Sequence, residues 1–389
     1  MRVLLALLVL PVAVPAQPGG TLDSLPPPVA RELRAVWVAT VNNIDWPSRP
    51  DLTTWEQQQE LLAILNRATA LKMNAIVFQV RPVADAFYVS RYEPWSRWLT
   101  GRQGRQPIPL WDPLAFAVAE SHKRGLELHA WFNPYRVSYS RDSLRARNHV
   151  STRRPDLVVS YGRTLWMDPG IPEVRSLMVR AVMDVVRRYD VDGVHIDDYF
   201  YPYPELDASQ QPIEFPDSAS YAAYRRGGGA LEKNDWRRRN VDLLVRQFYA
   251  AVKAEKPWVK VGISPFGIWR PGNPPQIQGF DAYDRIFADA RKWLIEGWVD
   301  YLAPQLYWPI YPPEQSYPAL LQWWVDQNRK GRHIWPGLGA HRLALTGPRA
   351  MRADEIVQQI QITRDIPGAT GTIIFNAKIL MQNSDSIVD

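Results

Sequence analysis

Two consecutive carboxylates close a β-branched run near the middle of the chain, Val191-Asp192-Gly193-Val194-His195-Ile196-Asp197-Asp198-Tyr199-Phe200. Strand alternation puts Val194 and Ile196 on one face and His195 with Asp197 on the other, and Asp198 falls at the tip. Adjacent carboxyl groups suit proton transfer, because one can donate a proton while its neighbour orients or stabilises the reacting group. In a parallel barrel the C-terminal strand ends build the active site, so the elements around this run decide whether the pair can act.

Those elements recur. Strand-like segments fall at 32–40, 73–81, 126–133, 191–198, 258–264, 299–308, 333–341 and 368–376. Amphipathic stretches with helical spacing lie between them, at 54–71, 113–124, 172–189, 234–255, 283–296 and 354–364. Strand alternating with helix eight times predicts an α/β fold, a (β/α)8 TIM barrel with long βα loops. The loops at 134–169 and 199–233 are the longest, and long loops on one rim frame a binding cleft.

Period-two alternation then selects the side chains that face the lumen. On strand two Ile76, Phe78 and Val80 turn to the helices and leave Gln79 and Arg81 inward; on strand three His129, Trp131 and Asn133 are inward. Strand four adds His195 and Asp197, strand five Ser264, strand six Gln305 and Tyr307, strand seven Trp335 and His341, and strand eight Asn376. A single inward polar residue is most often a satisfied core group, but agreement across seven strands points to a polar site at the upper rim. Glu127, six residues before Asn133, belongs to the barrel floor.

Composition narrows the setting. The chain has 389 residues, a formal charge of +6 and no cysteine, which excludes disulfides and cysteine-ligated metals. Basic residues are scattered rather than blocked together, so nucleic acid is not an expected partner. Arg2, an apolar run at 3–14 and Pro15-Ala16-Gln17 read as a signal peptide over 1–16, followed by a flexible linker at 17–30 and a barrel domain at 31–389. No later stretch has the length of a transmembrane anchor, so a secreted, periplasmic or extracellular protein is expected. Seventeen tryptophans supply flat faces of the kind that stack on sugar rings. Trp46, Trp131, Trp269 and Trp308, at strand tips or in the following loops, are the stacking candidates.

The motifs Arg34-Ala-Val-Trp37, Phe78-Gln79-Val-Arg81-Pro82, His129-Ala-Trp131-Phe-Asn133-Pro134-Tyr135-Arg136, Asp197-Asp198-Tyr199-Phe-Tyr-Pro202, Trp236-Arg237-Arg238-Arg239-Asn240 and Gly262-Ile-Ser264-Pro265-Phe266-Gly267 occur in order, close to one per strand. Together they resemble the glycosyl hydrolase-like 10 family of secreted bacterial barrels. The resemblance runs from about residue 31 to the end of the chain. It implies glycoside hydrolysis, with peptide-stripped peptidoglycan glycan strands as the substrate type and a polysaccharide as partner.

A glycosidase needs a proton donor and a nucleophile at the anomeric carbon. Asp197 and Asp198 are the catalytic candidates, yet strands five to seven end without a second inward carboxylate. A sugar with a 2-acetamido group can supply the carbonyl oxygen as its own nucleophile, and adjacent aspartates at a strand tip resemble those of some substrate-assisted hexosaminidases. A partial likeness to the chitinase-type motif fails at its proton-donating glutamate, where Tyr199 stands, so Asp198 must donate. Gln305 and Tyr307 suit an acetamide, and Arg81 and Arg136 suit the lactyl carboxylate of a muramic acid. Gln79, His129, Trp131, Asn133, His195, Tyr199, Ser264 and Asn376 complete the expected binding set.

No metal or cofactor is expected. The competing readings are a zinc-dependent polysaccharide deacetylase using His195, Asp197 and Asp198 with His129 or His341, a non-catalytic glycan-binding barrel, and a structural Asp197–Arg81 ion pair.

Overall fold

The first five predicted strands form as Leu33–Val38, Ala75–Arg81, Glu127–Phe132, Gly193–Ile196 and Lys260–Ile263. The sixth and seventh are each split in two, Tyr301–Leu302 with Gln305–Leu306 and His333–Ile334 with Gly337–Leu338. The cause is local: Pro304 and Pro336 sit in the gaps, and proline brings no N–H to the ladder. Gly371–Ile374 is the eighth strand. Every neighbouring pair is parallel, the eighth strand pairs with the first, and each half of the sixth pairs with the corresponding half of the seventh. The ring is therefore closed, a (β/α)8 barrel. The computed structural model describes residues 31–389; the expected signal peptide and linker lie outside the described residues.

Helix starts carry their own signals. Thr53 and Glu56 form a reciprocal capping box at the head of Thr54–Ala70. Pro113 opens Pro113–His122 behind an Asp112 cap, and Pro172 opens Pro172–Arg188. The expected helix over 283–296 is broken into Ala282–Arg285 and Ala290–Glu296, and Tyr317–Asp326 forms where no helix was drawn.

Burial divides by strand parity into two apolar clusters. Val36, Val38, Ile76, Phe78, Val80, Leu128, Ala130, Phe132, Val194 and Ile196 join the large cluster under the helices. Ala35, Trp37, Ala39, Ala75, Val77, Trp131, Tyr301, Ala303, Trp335 and Ile373 form a smaller one that fills the lumen. Lumen glycines make room for the rings: a Cβ on Gly193 would meet the His129 ring at 2.6 Å and one on Gly262 the Tyr301 ring at 1.8 Å.

The two long rim loops are ordered by their own contacts. The loop after strand three folds Arg136–Ser138, Val158–Tyr161 and Thr164–Met167 into an antiparallel sheet. The loop after strand four is tied to helix Lys233–Glu255 by a buried Arg237–Asp217 pair with two bonds of 2.7 Å. Arg237 of the Trp236-Arg-Arg-Arg-Asn motif thus positions a loop.

Candidate active site

At the C-terminal rim of the barrel a cavity of about 220 Å³ is lined by Asp197, Asp198, Trp131, Arg136, Ser264 and Gln305, with Gln79, Tyr199, Tyr307 and others around them. Among the described residues Asp197 and Asp198 are the only acids in its wall. Asp197 Oδ2 accepts from Trp131 Nε1 and Asn133 Nδ2, both at 3.1 Å, while its Oδ1 is buried without a partner. Asp198 Oδ2 accepts from the Tyr203 hydroxyl, and Gln305, whose Nε2 donates to the Ser264 carbonyl at 2.9 Å, lines the same cavity. Burial pushes the Asp197 carboxyl up to about 7, with the Asp198 charge adding to the rise and Arg136 opposing it. Asp198 is raised as well, again chiefly by burial. Both neighbouring carboxyls are thus biased toward their protonated forms, the form a general acid needs.

Arg136 is the cation of the cavity. Its guanidinium lies between the rings of Tyr139 and Tyr199, 4.4 Å from each centroid, and its Nε has no acceptor. Ring faces hold the guanidinium plane by cation–π attraction, so its edge remains suited to an anion. Gln79 is fixed by the Thr40 and Val41 N–H groups on Oε1 at 3.0 and 2.9 Å, which leaves Nε2 unpartnered.

Several expected residues stand elsewhere. Arg81 was expected inward, but a bulge between Gln79 and Arg81 brings Arg81 into register with Phe132, a helix-facing position. Turned out of the lumen, Arg81 is engaged by Glu93 at 2.8 and 2.9 Å and by the Pro134 carbonyl at 3.1 Å. The Asp197–Arg81 pair therefore does not form. Asn376 is displaced by parity: counting from Ile373 in the lumen gives Phe375, and Phe375 lines the cavity. Trp46 is wholly buried among Phe78, Phe87 and Trp111, with Nε1 on the Gln57 carbonyl at 2.9 Å. Trp269 stacks on Trp323 and donates to Asp289, and Trp308 packs edge-on against Phe266. Asn133 sits behind Asp197, and His129 and His195 lie deeper in the lumen. Among the described residues no three His, Asp or Glu side chains gather as metal ligands.

Other lining residues were not in the expected set. Trp37, Tyr139 and Phe375 line the cavity and Tyr203 holds Asp198, while His341, expected inward on strand seven, lines it as well. Trp37 was legible from its alternation with Val36 and Val38; Tyr139 and Tyr203 come from loops, where no periodicity operates.

A larger groove of about 430 Å³ lies along helix Lys233–Glu255. Of its lining acids, Asp235 pairs with Arg238 and Asp242 with Lys292, while Asp289 accepts from the Trp269 indole and the Lys292 N–H.

Closed barrel, acid-lined rim cavity and aromatic wall define a (β/α)8 barrel of the glycoside hydrolase type. Over 92% of its length the chain matches the PgaB (BpsB) glycoside hydrolase domain from Bordetella bronchiseptica at a TM-score of 0.58 and 12% identity, covering 98% of that domain. It matches α-L-fucosidase isoenzyme 2 from Paenibacillus thiaminolyticus at 0.54 and 12% identity, over 92% of this chain and 49% of that one. These likenesses carry the fold. The chain belongs to the glycosyl hydrolase-like 10 family, whose model matches residues 32–348. It is 44% identical over 369 residues to glycosyl hydrolase YngK of Bacillus subtilis (strain 168), covering 92% of this chain and 71% of that one. To glycosyl hydrolase DigH of Escherichia coli (strain K12) it is 34% identical over 404 residues, 96% of this chain and 88% of the relative. Among the described residues no helix is long and apolar enough to cross a membrane.

Proposed function

We propose that this protein is an exported enzyme that hydrolyses the glycan backbone of peptidoglycan by substrate-assisted catalysis. The observation that carries the reading is that, among the described residues, Asp197 Oδ1 has no partner beside a second carboxyl in a cavity with no further acid. A 2-acetamido N–H would satisfy that oxygen, and a buried acceptor left without a donor is costly. Its bond to Asp197 favours the ionised form there and leaves the proton on Asp198.

In this mechanism Asp197 orients the acetamide so that its carbonyl oxygen attacks the anomeric carbon. Asp198 gives its proton to the leaving oxygen, and the glycosidic C–O bond breaks as the oxazoline ring closes. Water, deprotonated by Asp198, then opens the ring and returns the proton to that carboxyl. Trp131 and Asn133 hold Asp197 in place, Tyr203 holds Asp198, and Gln79, Gln305 and Tyr307 contribute to the wall of the sugar site. The anion-ready edge of Arg136 favours a glycan whose sugars carry carboxylates, as muramic acid does, over chitin.

Mass analysis of products from denuded peptidoglycan strands, chitin oligomers and an acetamide-free glucan tests the reading. Cleavage of the first, weaker cleavage of the second and none of the third are expected. Turnover of the glucan would contradict acetamide participation; deacetylated products would favour the deacetylase; binding without products would favour a glycan-binding barrel.

A further inference from the structure

Below the cavity a chain of hydrogen bonds runs down the lumen. Ser264 Oγ lies 2.9 Å from His195 Nε2, His195 Nδ1 lies 3.1 Å from the Tyr301 hydroxyl, and that hydroxyl lies 2.9 Å from His129 Nδ1. His129 Nε2 lies 3.0 Å from Glu127 Oε2, and Lys260 pairs with the same carboxylate at 2.9 Å. All three rings are buried, and none has a role in the proton transfers above.

The two ends of this chain fix its direction. At the floor Glu127 pairs with Lys260 at 2.9 Å and lies 3.0 Å from His129 Nε2, and a carboxylate so paired only accepts. His129 must therefore donate from Nε2. At the top the indole N–H of Trp37, which only donates, points at His195 Nε2 from 3.4 Å. That nitrogen must therefore be the acceptor. With both ends set, every bond points downward, and the single lone pair of His195 Nε2 goes to the nearer donor, the Ser264 hydroxyl at 2.9 Å, with the indole N–H at 3.4 Å only at the edge of reach: Ser264 O–H to His195 Nε2, His195 Nδ1–H to Tyr301, Tyr301 O–H to His129 Nδ1, and His129 Nε2–H to Glu127. The two neutral imidazoles are then opposite tautomers. A cationic His129 would reverse the upper bonds and set the Trp37 N–H against a His195 N–H.

We infer that this chain commits the Ser264 proton downward, so that Ser264 offers the cavity only lone pairs and acts as a specificity-determining acceptor for a sugar hydroxyl. His195 and Tyr301 are positioning residues for it. The inferred ligand group rests on the glycan hydrolysis proposed above; the polarity of the chain does not.

Nitrogen-15 spectroscopy of the full chain labelled at histidine, with His195→Gln used for assignment, tests the polarity directly. A bare Nε2 and protonated Nδ1 on His195 are expected at neutral pH; the opposite tautomer or an imidazolium would overturn the inference. Tyr301→Phe keeps the ring but removes the acceptor of His195, so the tautomer should shift toward Nε2–H. In parallel, Ser264→Ala and Tyr301→Phe should each raise KM for the glycan about ten-fold while kcat changes much less. An unchanged KM in Ser264→Ala with the expected tautomer intact would overturn the acceptor role alone. Absence of any glycan cleavage by the unmodified enzyme would instead sink the proposed function.

Discussion

The lower and upper halves of the barrel lumen are both polar, and they differ in how completely their polar groups are satisfied. Below, Glu127, His129, Tyr301, His195 and Trp335 each find partners within the protein. Above, Asp197 Oδ1, Gln79 Nε2, Arg136 Nε and His341 Nδ1 are buried and have none. Buried polar groups are ordinarily paired, and unpaired ones that face a cavity can be completed by a ligand, as those elsewhere in the protein cannot. The same contrast separates side chains of one type. Arg81 is closed off by Glu93 and backbone carbonyls while Arg136 lies between two tyrosine rings with Nε unpartnered, and Trp46 is core while Trp131 supports Asp197.

Disabling the upper layer should have the largest effect. Asp198→Asn is expected to lower kcat on unactivated glycans by about 10²-fold or more, and distinctly less on an aryl glycoside whose leaving group needs little protonation. Steady-state kinetics on the two substrates checks this, and equal losses would remove Asp198 from the role of acid.

The arginines sharpen the contrast. Arg81→Gln leaves Glu93 half-buried without its cation and should cost about 3 kcal/mol in denaturant unfolding. Among the molecules that remain folded, preference between carboxylate-bearing and neutral glycans should be unchanged. Arg136→Gln should do the reverse, with little loss of stability and the preference for carboxylate-bearing strands gone. A variant at either position that moved both quantities together would erase the distinction.

A smaller effect is expected from Asp85, buried beside Glu93 with one oxygen unpartnered. Burial raises its carboxyl to about 7, opposed by the Gln103 hydrogen bond and reinforced by the Glu93 charge. Its folded value exceeds that of an unfolded carboxyl, about 3.9, so the folded state retains a proton that the unfolded chain releases in between. The stability this group contributes is complete below about pH 4 and is lost as pH rises through 7. Asp85→Asn should therefore gain about 2 kcal/mol over the parent at pH 8 and almost nothing at pH 4, read from unfolding at both pH values. The smallest effect expected is none: prolonged EDTA treatment should leave hydrolysis intact, whereas loss with recovery on adding zinc would redirect the chemistry to a metal.

Alternation made the eight strand positions legible, because each strand has one face under helices and one in a packed lumen, and the two faces differ in composition. The Asp197-Asp198 pair was legible for the same reason, as carboxylates ending a β-branched run. Parity failed where the backbone departs from it. One bulge carried Arg81 out of the lumen, and an error of one residue replaced Phe375 by Asn376. Tryptophan identity alone did not separate Trp46 from Trp131, since both are large and buried, and only their neighbours differ. Tyr139 and Tyr203 reach the site from loops whose paths depend on tertiary contacts, with no repeating pattern to follow.

The central claim is that the acetamide of the substrate, held by Asp197, is the nucleophile. Its most direct test is the inhibition constant of a thiazoline mimic of the ring-closed intermediate, measured against the parent amino sugar. Binding at least about 10²-fold tighter than the parent sugar is predicted, as for a molecule resembling the species the site stabilises. A thiazoline that binds no better than the parent sugar would contradict the account.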